Sequence, residues 1–180
     1  PRRVPALASA AEPSWTTEFA LDPGDLASVG RNPYFVLEPG YTLVLGDDDE
    51  RLTIRVLDQT RRVGGVETRI VEEREEKAGR VVEVSRNCYA ISRRTNSVFY
   101  FGEDVDMYED GAVKDHKGAW MAGTGGARPG LMMPGLPLLG VMYFQEVAPG
   151  IAMDRARIES MDARVATPAG EFKHVLKIAE

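Results

Sequence analysis

Apolar and polar residues alternate with a period of two along much of this chain, and this pattern restricts the possible folds more than any other feature. In residues 52–56, Leu, Ile and Val alternate with Thr and Arg, and in residues 66–70, Val, Thr and Ile alternate with Glu and Arg. Such alternation is typical of strands that bury one face. Gly64 and Gly65 lie between the two segments, and glycine at both positions of a two-residue turn favours a β-hairpin. The pattern therefore predicts an antiparallel hairpin.

Several further segments have strand-like patterns and are separated by turn residues. The predicted strands are 52–56, 66–70, 80–92, 98–101, 105–108, 112–114, 142–147, 152–165 and 172–178. Closely spaced short strands of this kind predict an all-β protein, an antiparallel meander of about nine or ten strands that forms a barrel or a sandwich. We expect residues 1–30 to form an irregular N-terminal arm and residues 31–180 to form a single β domain.

Helical signals are weak. The best candidate is Asp22–Ser28, where Pro23 follows an aspartate that could cap a first turn. Residues 151–161 are a helical alternative to part of one predicted strand, but the strand is favoured by their alternation.

Charge and length narrow the function classes. The formal net charge of −6 argues against nucleic acid as a partner, because phosphate recognition needs a basic surface. A chain of 180 residues can bury roughly 70% of its unfolded surface, so no metal, cofactor or disulfide is required for stability. Cys88 is the single cysteine and is predicted to be a buried, inert thiol. No apolar run reaches the ~18 residues of a membrane-spanning helix, so no transmembrane segment is predicted.

The N-terminal residues give an indication of location. The small residues Ala8, Ser9 and Ala10 are of the kind that precede a signal-peptidase cleavage site, which predicts a periplasmic or secreted protein. The alternative is an Ala/Pro-rich disordered arm, and the sequence favours neither interpretation over the other.

Two short motifs carry a family resemblance. Asn32-Pro33-Tyr34-Phe35, followed by Leu37 and Pro39-Gly40, resembles the opening of a loose group of exported bacterial β-rich proteins and lipoproteins. The closing Thr167-Pro168-Ala169-Gly170, followed by Phe172, is similar to the terminal hairpin of such proteins. The resemblance implies a β-rich fold and export, and it implies no catalytic residue.

A long segment rich in Gly, Pro, Leu and Met interrupts the strand pattern. All seven methionines lie between Met107 and Met161, and they bracket residues 118–140, which we predict to be a long non-regular loop. As a lid, the loop would form an adaptable apolar wall over a ligand. As a plug, it would close one end of a barrel and bind nothing. A Cu(I) site with His116 is a third interpretation, disfavoured because Met-x-Met spacing is absent. The candidate ligand-binding residues are Trp120, Met121, Leu131, Met132, Met133, Tyr143 and Asp154.

Asp154 is the most informative acidic residue, because its neighbours on the same predicted strand face are apolar. A carboxylate there must be paired, for example with Arg86, or shift its pKa upward. Glu146 would share this face only if the loop around Pro149 and Gly150 has an odd number of residues. Because Pro-Gly favours a type II turn, which fits two-residue hairpins poorly, we expect a longer loop.

The remaining titratable candidates have structural interpretations that compete with functional ones. His174 is predicted to be a core or barrel-end residue on the last strand. Asp104 and Asp106 are predicted to lie on a solvated strand face opposite Arg93 or Arg94.

These observations lead to three functional hypotheses. The favoured one is an exported, non-catalytic β domain that binds a small apolar or amphipathic ligand under residues 118–140. The alternative is a metal-dependent site, for example a hydrolytic one, formed by His116 with Asp154 or Glu146. The third is a purely structural or interaction domain. No Ser/His/Asp or Cys/His constellation is traceable, so binding is favoured over catalysis.

Overall fold

A computed structural model describes residues 15–180, and the fold is all-β, with antiparallel strands that curl into a half-barrel. This confirms the predicted fold class. Ala8, Ser9 and Ala10 lie outside the described residues. The described residues contain no helix that is long and apolar enough to cross a membrane.

Fifteen strands form the described part of the chain. They are β1 (Leu26–Ala27), β2 (Gly30–Asn32), β3 (Phe35–Leu37), β4 (Thr42–Gly46), β5 (Glu50–Val63), β6 (Val66–Lys77), β7 (Arg80–Ser92), β8 (Val98–Glu109), β9 (Ala112–Asp115), β10 (Trp120–Met121), β11 (Arg128–Met133), β12 (Met142–Phe144), β13 (Glu146–Val147), β14 (Arg155–Thr167) and β15 (Gly170–Ala179).

The strands are arranged in one large sheet and two small ones. The main sheet has the order β13-β11-β8-β7-β6-β5-β4, and β1, β9 and β10 pair with its central strands. A second sheet has the order β12-β14-β15, and β2 and β3 form a separate hairpin. All of the strand pairs are antiparallel, as a meander with short turns requires.

The core lies on β7 and β8, whose middle residues are buried on both faces of the sheet. Residues 88–92 and 98–102 are all buried, and they include the aromatic residues Tyr89 and Tyr100. Cys88 is buried among them, as predicted. A strand that is covered on both faces loses the polar half of its alternation, which is why both segments are nearly continuous apolar runs.

The first hairpin after the N-terminal segment is fixed to the rest of the molecule by Asn32, which is fully buried. Its side-chain amide donates hydrogen bonds to the backbone carbonyls of Asn96 (2.9 Å) and Pro134 (3.0 Å). Its side-chain oxygen accepts one from the Tyr34 N–H at 2.8 Å. The Asn-Pro-Tyr sequence therefore closes a turn and holds two distant loops.

Three sequence predictions about secondary structure were wrong. Residues 22–28 form no helix; a turn leads into β1, which pairs with the end of β7. Residues 98–101 and 105–108 belong to the single strand β8. The predicted loop 118–140 contains β10 and β11, because glycines and prolines at its turns hide two short strands that pair with β8.

Candidate functional site

A cavity of about 530 Å³ lies against β6, β7 and β8. Its wall is strongly acidic and contains seven carboxylate side chains but one basic residue, Arg155. The carboxylates are Glu73, Glu75, Glu83, Glu103, Glu146, Asp154 and Glu180. The other lining residues are Ser85, Asn87, Tyr89, Tyr100, Met132, Gln145 and Met153.

The alternation of side chains between the two faces of a strand positions the part of this acidic wall that lies on β6 and β7. Glu83, Ser85, Asn87 and Tyr89 are alternate residues of β7, so their side chains point to one face of the sheet. On the neighbouring strand, Glu75 lies directly opposite Glu83 in the register. Directly opposed like charges destabilise a sheet, so this pair is an electrostatic cost that the fold carries at the cavity.

A bulge in β8 brings Glu103 onto the same face. Tyr100 pairs with Tyr89 and Glu103 pairs with Asn87, so β8 has one more residue than β7 between these two pairs. Gly102 lies in the bulge with φ 126°, and a side chain there would collide with the carbonyl oxygen of Trp120. Without the extra residue, Glu103 would point to the opposite face.

A three-residue loop brings Glu146 and Asp154 together. Ala148 pairs with Ala152, which leaves residues 149–151 as the loop and places Glu146 opposite Asp154. The backbone carbonyl of Asp154 accepts hydrogen bonds from the N–H groups of Gln145 and Glu146, at 2.8 and 3.1 Å. This confirms the expected longer loop, and because the loop has an odd number of residues both carboxylates line the cavity.

None of the seven carboxylates takes part in a salt bridge within residues 15–180, although thirteen such bridges occur there. The guanidinium of Arg155 forms no salt bridge with them and stacks on the ring of Trp15 at 4.7 Å. Glu146 is only 9% exposed, so its carboxylate is buried without a cationic partner among the described residues. A buried carboxylate without a partner raises the free energy of the folded protein. Binding of a proton or a cation would offset this effect in the cavity.

Burial and mutual repulsion raise the pKa of several of these groups. The pKa of Glu146 rises to about 8 through burial, then through the nearby Glu103, Asp154 and Glu180. The Trp120 indole N–H, which is buried and has no hydrogen-bond partner within the described residues, lies close enough to oppose this rise.

Two further carboxylates follow the same rule. Burial raises the pKa of Glu103 to about 7, although its contact with Tyr100 lowers it. Burial and the neighbouring Glu75 raise the pKa of Glu73 to about 6. Near neutral pH the cavity therefore holds protons that a bound cation would displace.

Aromatic rings form the floor of the cavity. The rings of Tyr89 and Tyr100 lie 4.6 Å apart, and the Trp120 ring packs edge-on against Tyr100 at 5.3 Å. The Tyr100 hydroxyl donates a hydrogen bond of 2.6 Å to the side-chain oxygen of Asn87. The floor is thus rigid and apolar, with electron-rich rings that favour a cation above them.

The structure brings together some of the predicted ligand-binding residues and separates others. Met132 and Asp154 line the cavity. Trp120 and Met133 are buried in the core, and Met121 packs against it. The remaining candidates, Leu131 and Tyr143, also lie outside the acidic cavity. Leu131 lines a separate cavity of about 330 Å³, and Tyr143 is buried in a small cluster with Ala156 and Ile158.

The hypothetical metal site is not assembled. Within residues 15–180, no three His, Cys, Asp or Glu side chains converge as metal ligands. His116 is instead exposed beside β8, where its Nδ1 lies 2.7 Å from the Val105 carbonyl oxygen and 3.1 Å from an Asp106 carboxylate oxygen. Glu146 and Asp154 therefore form part of the acidic cavity without His116.

Three further expectations were wrong. His174 is exposed and pairs with Asp162, because the end of the β14–β15 hairpin projects away from the core. Asp104 pairs with Arg61 of β5 and Asp106 pairs with Arg86 of the adjacent strand β7, in place of Arg93 or Arg94. Arg86 is bound by Asp106 and Glu72, so it is not the partner of Asp154.

Most of the acidic wall was not predicted from the sequence, which indicated only Glu146 and Asp154 as candidate site residues among the seven carboxylates. The sequence signal that could have revealed this wall is the alternation of residues between the two faces of each strand. Glu73 and Glu75 share one face of β6, and Glu83 shares a face of β7 with Ser85 and Asn87 and with a tyrosine. No basic residue of β7 has the same parity as Glu83, so this strand face carries negative charge without a positive neighbour on the same strand.

Comparisons of the chain with protein-family models, with curated proteins and with solved structures find no match. The resemblance of the Asn32-Pro33-Tyr34-Phe35 and Thr167-Pro168-Ala169-Gly170 motifs to exported β-rich proteins stays a prediction.

Proposed function

We propose that this protein is a non-catalytic binding protein for a small amphipathic organic cation, which occupies the acidic cavity. The observation that carries the proposal is the contrast between the cavity and the rest of the molecule. Eleven carboxylates elsewhere in the described residues form salt bridges, whereas the seven that line the cavity form none. A positively charged head group would supply the missing partner.

The apolar part of the cavity indicates an amphipathic ligand in place of a bare ion. Tyr89, Tyr100, Met132 and Met153 line the same space as the carboxylates. Aromatic faces bind ammonium groups, and methionine side chains adapt to alkyl chains of different shape. The volume of about 530 Å³ fits a small molecule.

The proposed site differs from the sequence hypothesis in its position. From residues 118–140, only Met132 lines the cavity, while Trp120 lies behind it against Tyr100. The ligand would therefore lie against the acidic face of β6, β7 and β8, and not under a loop. Export to the periplasm or the cell surface remains part of the proposal, on the basis of Ala8-Ser9-Ala10 and the two family motifs.

Isothermal titration calorimetry with octyltrimethylammonium tests the proposal, because this probe keeps its charge at every pH. We expect saturable binding that becomes about tenfold tighter between pH 6 and pH 9, as Glu146 and Glu103 lose their protons. At pH 7, binding should release protons, which titration in buffers of different ionisation enthalpy detects. Octanesulfonate, which has the same chain and the opposite charge, should not bind.

Variants locate the binding site. Glu146→Gln should weaken binding of octyltrimethylammonium at pH 9 and reduce the dependence on pH. Glu171→Gln is the matched control, because it removes an exposed carboxylate of β15 that lies outside the cavity, and it should bind as the wild type does. Equal binding of octyltrimethylammonium and octanesulfonate would refute the charge argument. Binding of CaCl₂ alone, with no binding of the organic cation, would refute the proposal in favour of a metal site.

A further inference from the structure

The loop between β11 and β12 exposes three leucines at the surface of the molecule. Leu136, Leu138 and Leu139 are 75%, 55% and 68% exposed, respectively. They lie in residues 129–145, a stretch without a single charged residue in a chain that is 28% charged. Contiguous exposed apolar residues of this kind mark an interaction site, whereas single exposed leucines need no explanation.

This exposure is built into the fold, because the loop is fixed at both ends. At its start, the Pro134 carbonyl accepts a hydrogen bond from the buried Asn32 side chain, and the Gly135 N–H donates one to Ser97 Oγ at 3.0 Å. At its end, the Gly140 N–H donates a hydrogen bond to the Ile158 carbonyl at 2.8 Å. The leucines are thus held outward by an ordered backbone.

Basic residues flank the leucines on both sides. Gly135 packs directly on the backbone of Thr95 and Asn96, in the turn that contains Arg93 and Arg94. Neither arginine forms a salt bridge with another described residue, and the nearby Asp25 carboxylate accepts hydrogen bonds from Ser92 Oγ and the Arg94 backbone N–H. Neither guanidinium is engaged by a carboxylate, although Glu18, Asp22 and Asp25 line a pocket with Arg94.

The other flank is also basic. Leu139 lines a surface pocket with Arg157, Glu159 and Lys177. Glu159 is shared by Arg157, at 2.7 Å, and Lys177, at 2.9 Å, so this group has one positive charge in excess.

We propose that residues 134–140 dock the protein on a membrane surface with anionic head groups. The leucines would enter the interface between head groups and acyl chains, and the arginines and Lys177 would contact lipid phosphates. Apolar side chains that insert between basic residues are the combination that binds peripheral proteins to anionic bilayers. An exposed tyrosine, Tyr34, lies on the hairpin that Asn32 fixes to this loop, and amphipathic aromatic residues favour the same interfacial depth.

Vesicle flotation tests this proposal with two lipid compositions, phosphatidylcholine alone and a 3:1 mixture of phosphatidylcholine and phosphatidylglycerol. The wild type should bind the mixed vesicles, and the double variant Leu136→Ser/Leu139→Ser should bind them at least about tenfold more weakly. The matched control is Leu43→Ser/Leu45→Ser, which removes two exposed leucines from the edge strand β4 and should bind as the wild type does. Circular dichroism verifies that each variant is folded.

Two further measurements separate the apolar and the electrostatic contributions. Arg93→Gln/Arg94→Gln should reduce binding to the mixed vesicles and leave any binding to pure phosphatidylcholine unchanged. Fluorescence of Leu136→Trp should shift to shorter wavelength on vesicle addition and be quenched by brominated acyl chains. Failure of the wild type to bind either vesicle overturns the proposal and leaves the loop as a surface for a protein partner. Equal loss of binding in the loop and control variants also overturns it.

Discussion

At the scale of single residues, Glu146 has a larger rise in pKa than Glu103 or Glu73. Its protonation makes the stability of the protein depend on pH. In the folded protein its pKa is about 8, against an ordinary value of 4.5. Between these two values the folded protein holds a proton that the unfolded chain has lost. Folding is therefore favoured on the acidic side of this window, and its free energy becomes less favourable as the pH rises through it.

We expect the free energy of unfolding to fall by roughly 4 kcal/mol between pH 5 and pH 9 from Glu146 alone, and to fall further through Glu103 and Glu73. Urea unfolding at several pH values measures this. Glu146→Gln should reduce the slope and should be more stable than the wild type at pH 9, because a neutral amide replaces a buried anion. Glu171→Gln, which alters an exposed carboxylate, should leave the slope unchanged. A wild type whose stability rises from pH 5 to pH 9 would contradict the assignment.

At the scale of strands, the bulge at Gly102 decides which residues of β8 face the cavity. Gly102 has φ 126°, and an added Cβ would lie 2.3 Å from the Trp120 carbonyl oxygen. Gly102→Ala should therefore destabilise the protein by at least about 2 kcal/mol, through both backbone strain and displacement of β10. It should also weaken octyltrimethylammonium binding, because Glu103 would move.

Gly111 provides a control that separates strain from collision. It has φ 81°, but no atom lies within 4 Å of an added Cβ. Gly111→Ala should cost about 1 kcal/mol and leave ligand binding unchanged, as measured by urea unfolding and calorimetry. If both variants lose the same stability and both bind normally, the bulge has no special role at the cavity.

The same bulge explains what could be predicted at this scale. The β5–β6 hairpin was predictable, because alternation on each side of Gly64-Gly65 is a local property. β8 was divided in two, because the extra residue at Gly102 shifts the alternation from one face to the other. β11 was missed because Pro129 and Gly130 are poor strand formers, and Gly130 is required by the backbone of Gln145, which only the folded structure brings near.

At the scale of the whole molecule, the cavity depends on curvature, which no local pattern specifies. The alternation of residues along β6 and β7 indicates that Glu73, Glu75 and Glu83 share one face of the sheet. It does not indicate that this face curls around Glu146 and Asp154. That contact joins residues about 70 positions apart and depends on the Pro149–Ile151 loop. The long strands of the meander were therefore largely predictable from the sequence, and the acidic cavity was not.

Stability should be unevenly distributed over the half-barrel. Residues 98–102 in β8 are buried, and the strand is flanked by hydrogen-bonded neighbours on both sides. In contrast, residues 164–174, which form the end of the β14–β15 hairpin, are all exposed, and β15 is an edge strand. Backbone hydrogen bonds that have no buried side chains above them open locally at little cost, whereas those of a covered central strand need the whole sheet to open.

Native-state hydrogen exchange should therefore show amides of Val98–Phe101 exchanging at least about a thousandfold more slowly than those of Lys173 and Val175, which pair with β14. The comparison uses hydrogen-bonded amides of both sheets, so it measures burial and not the presence of a hydrogen bond. Octyltrimethylammonium should further slow exchange in β7 and β8, whose residues line the cavity, and leave the hairpin end unchanged. Uniform protection across both sheets would mean that the hairpin opens only with the core, in which case its exposed residues are held by an interaction outside this chain.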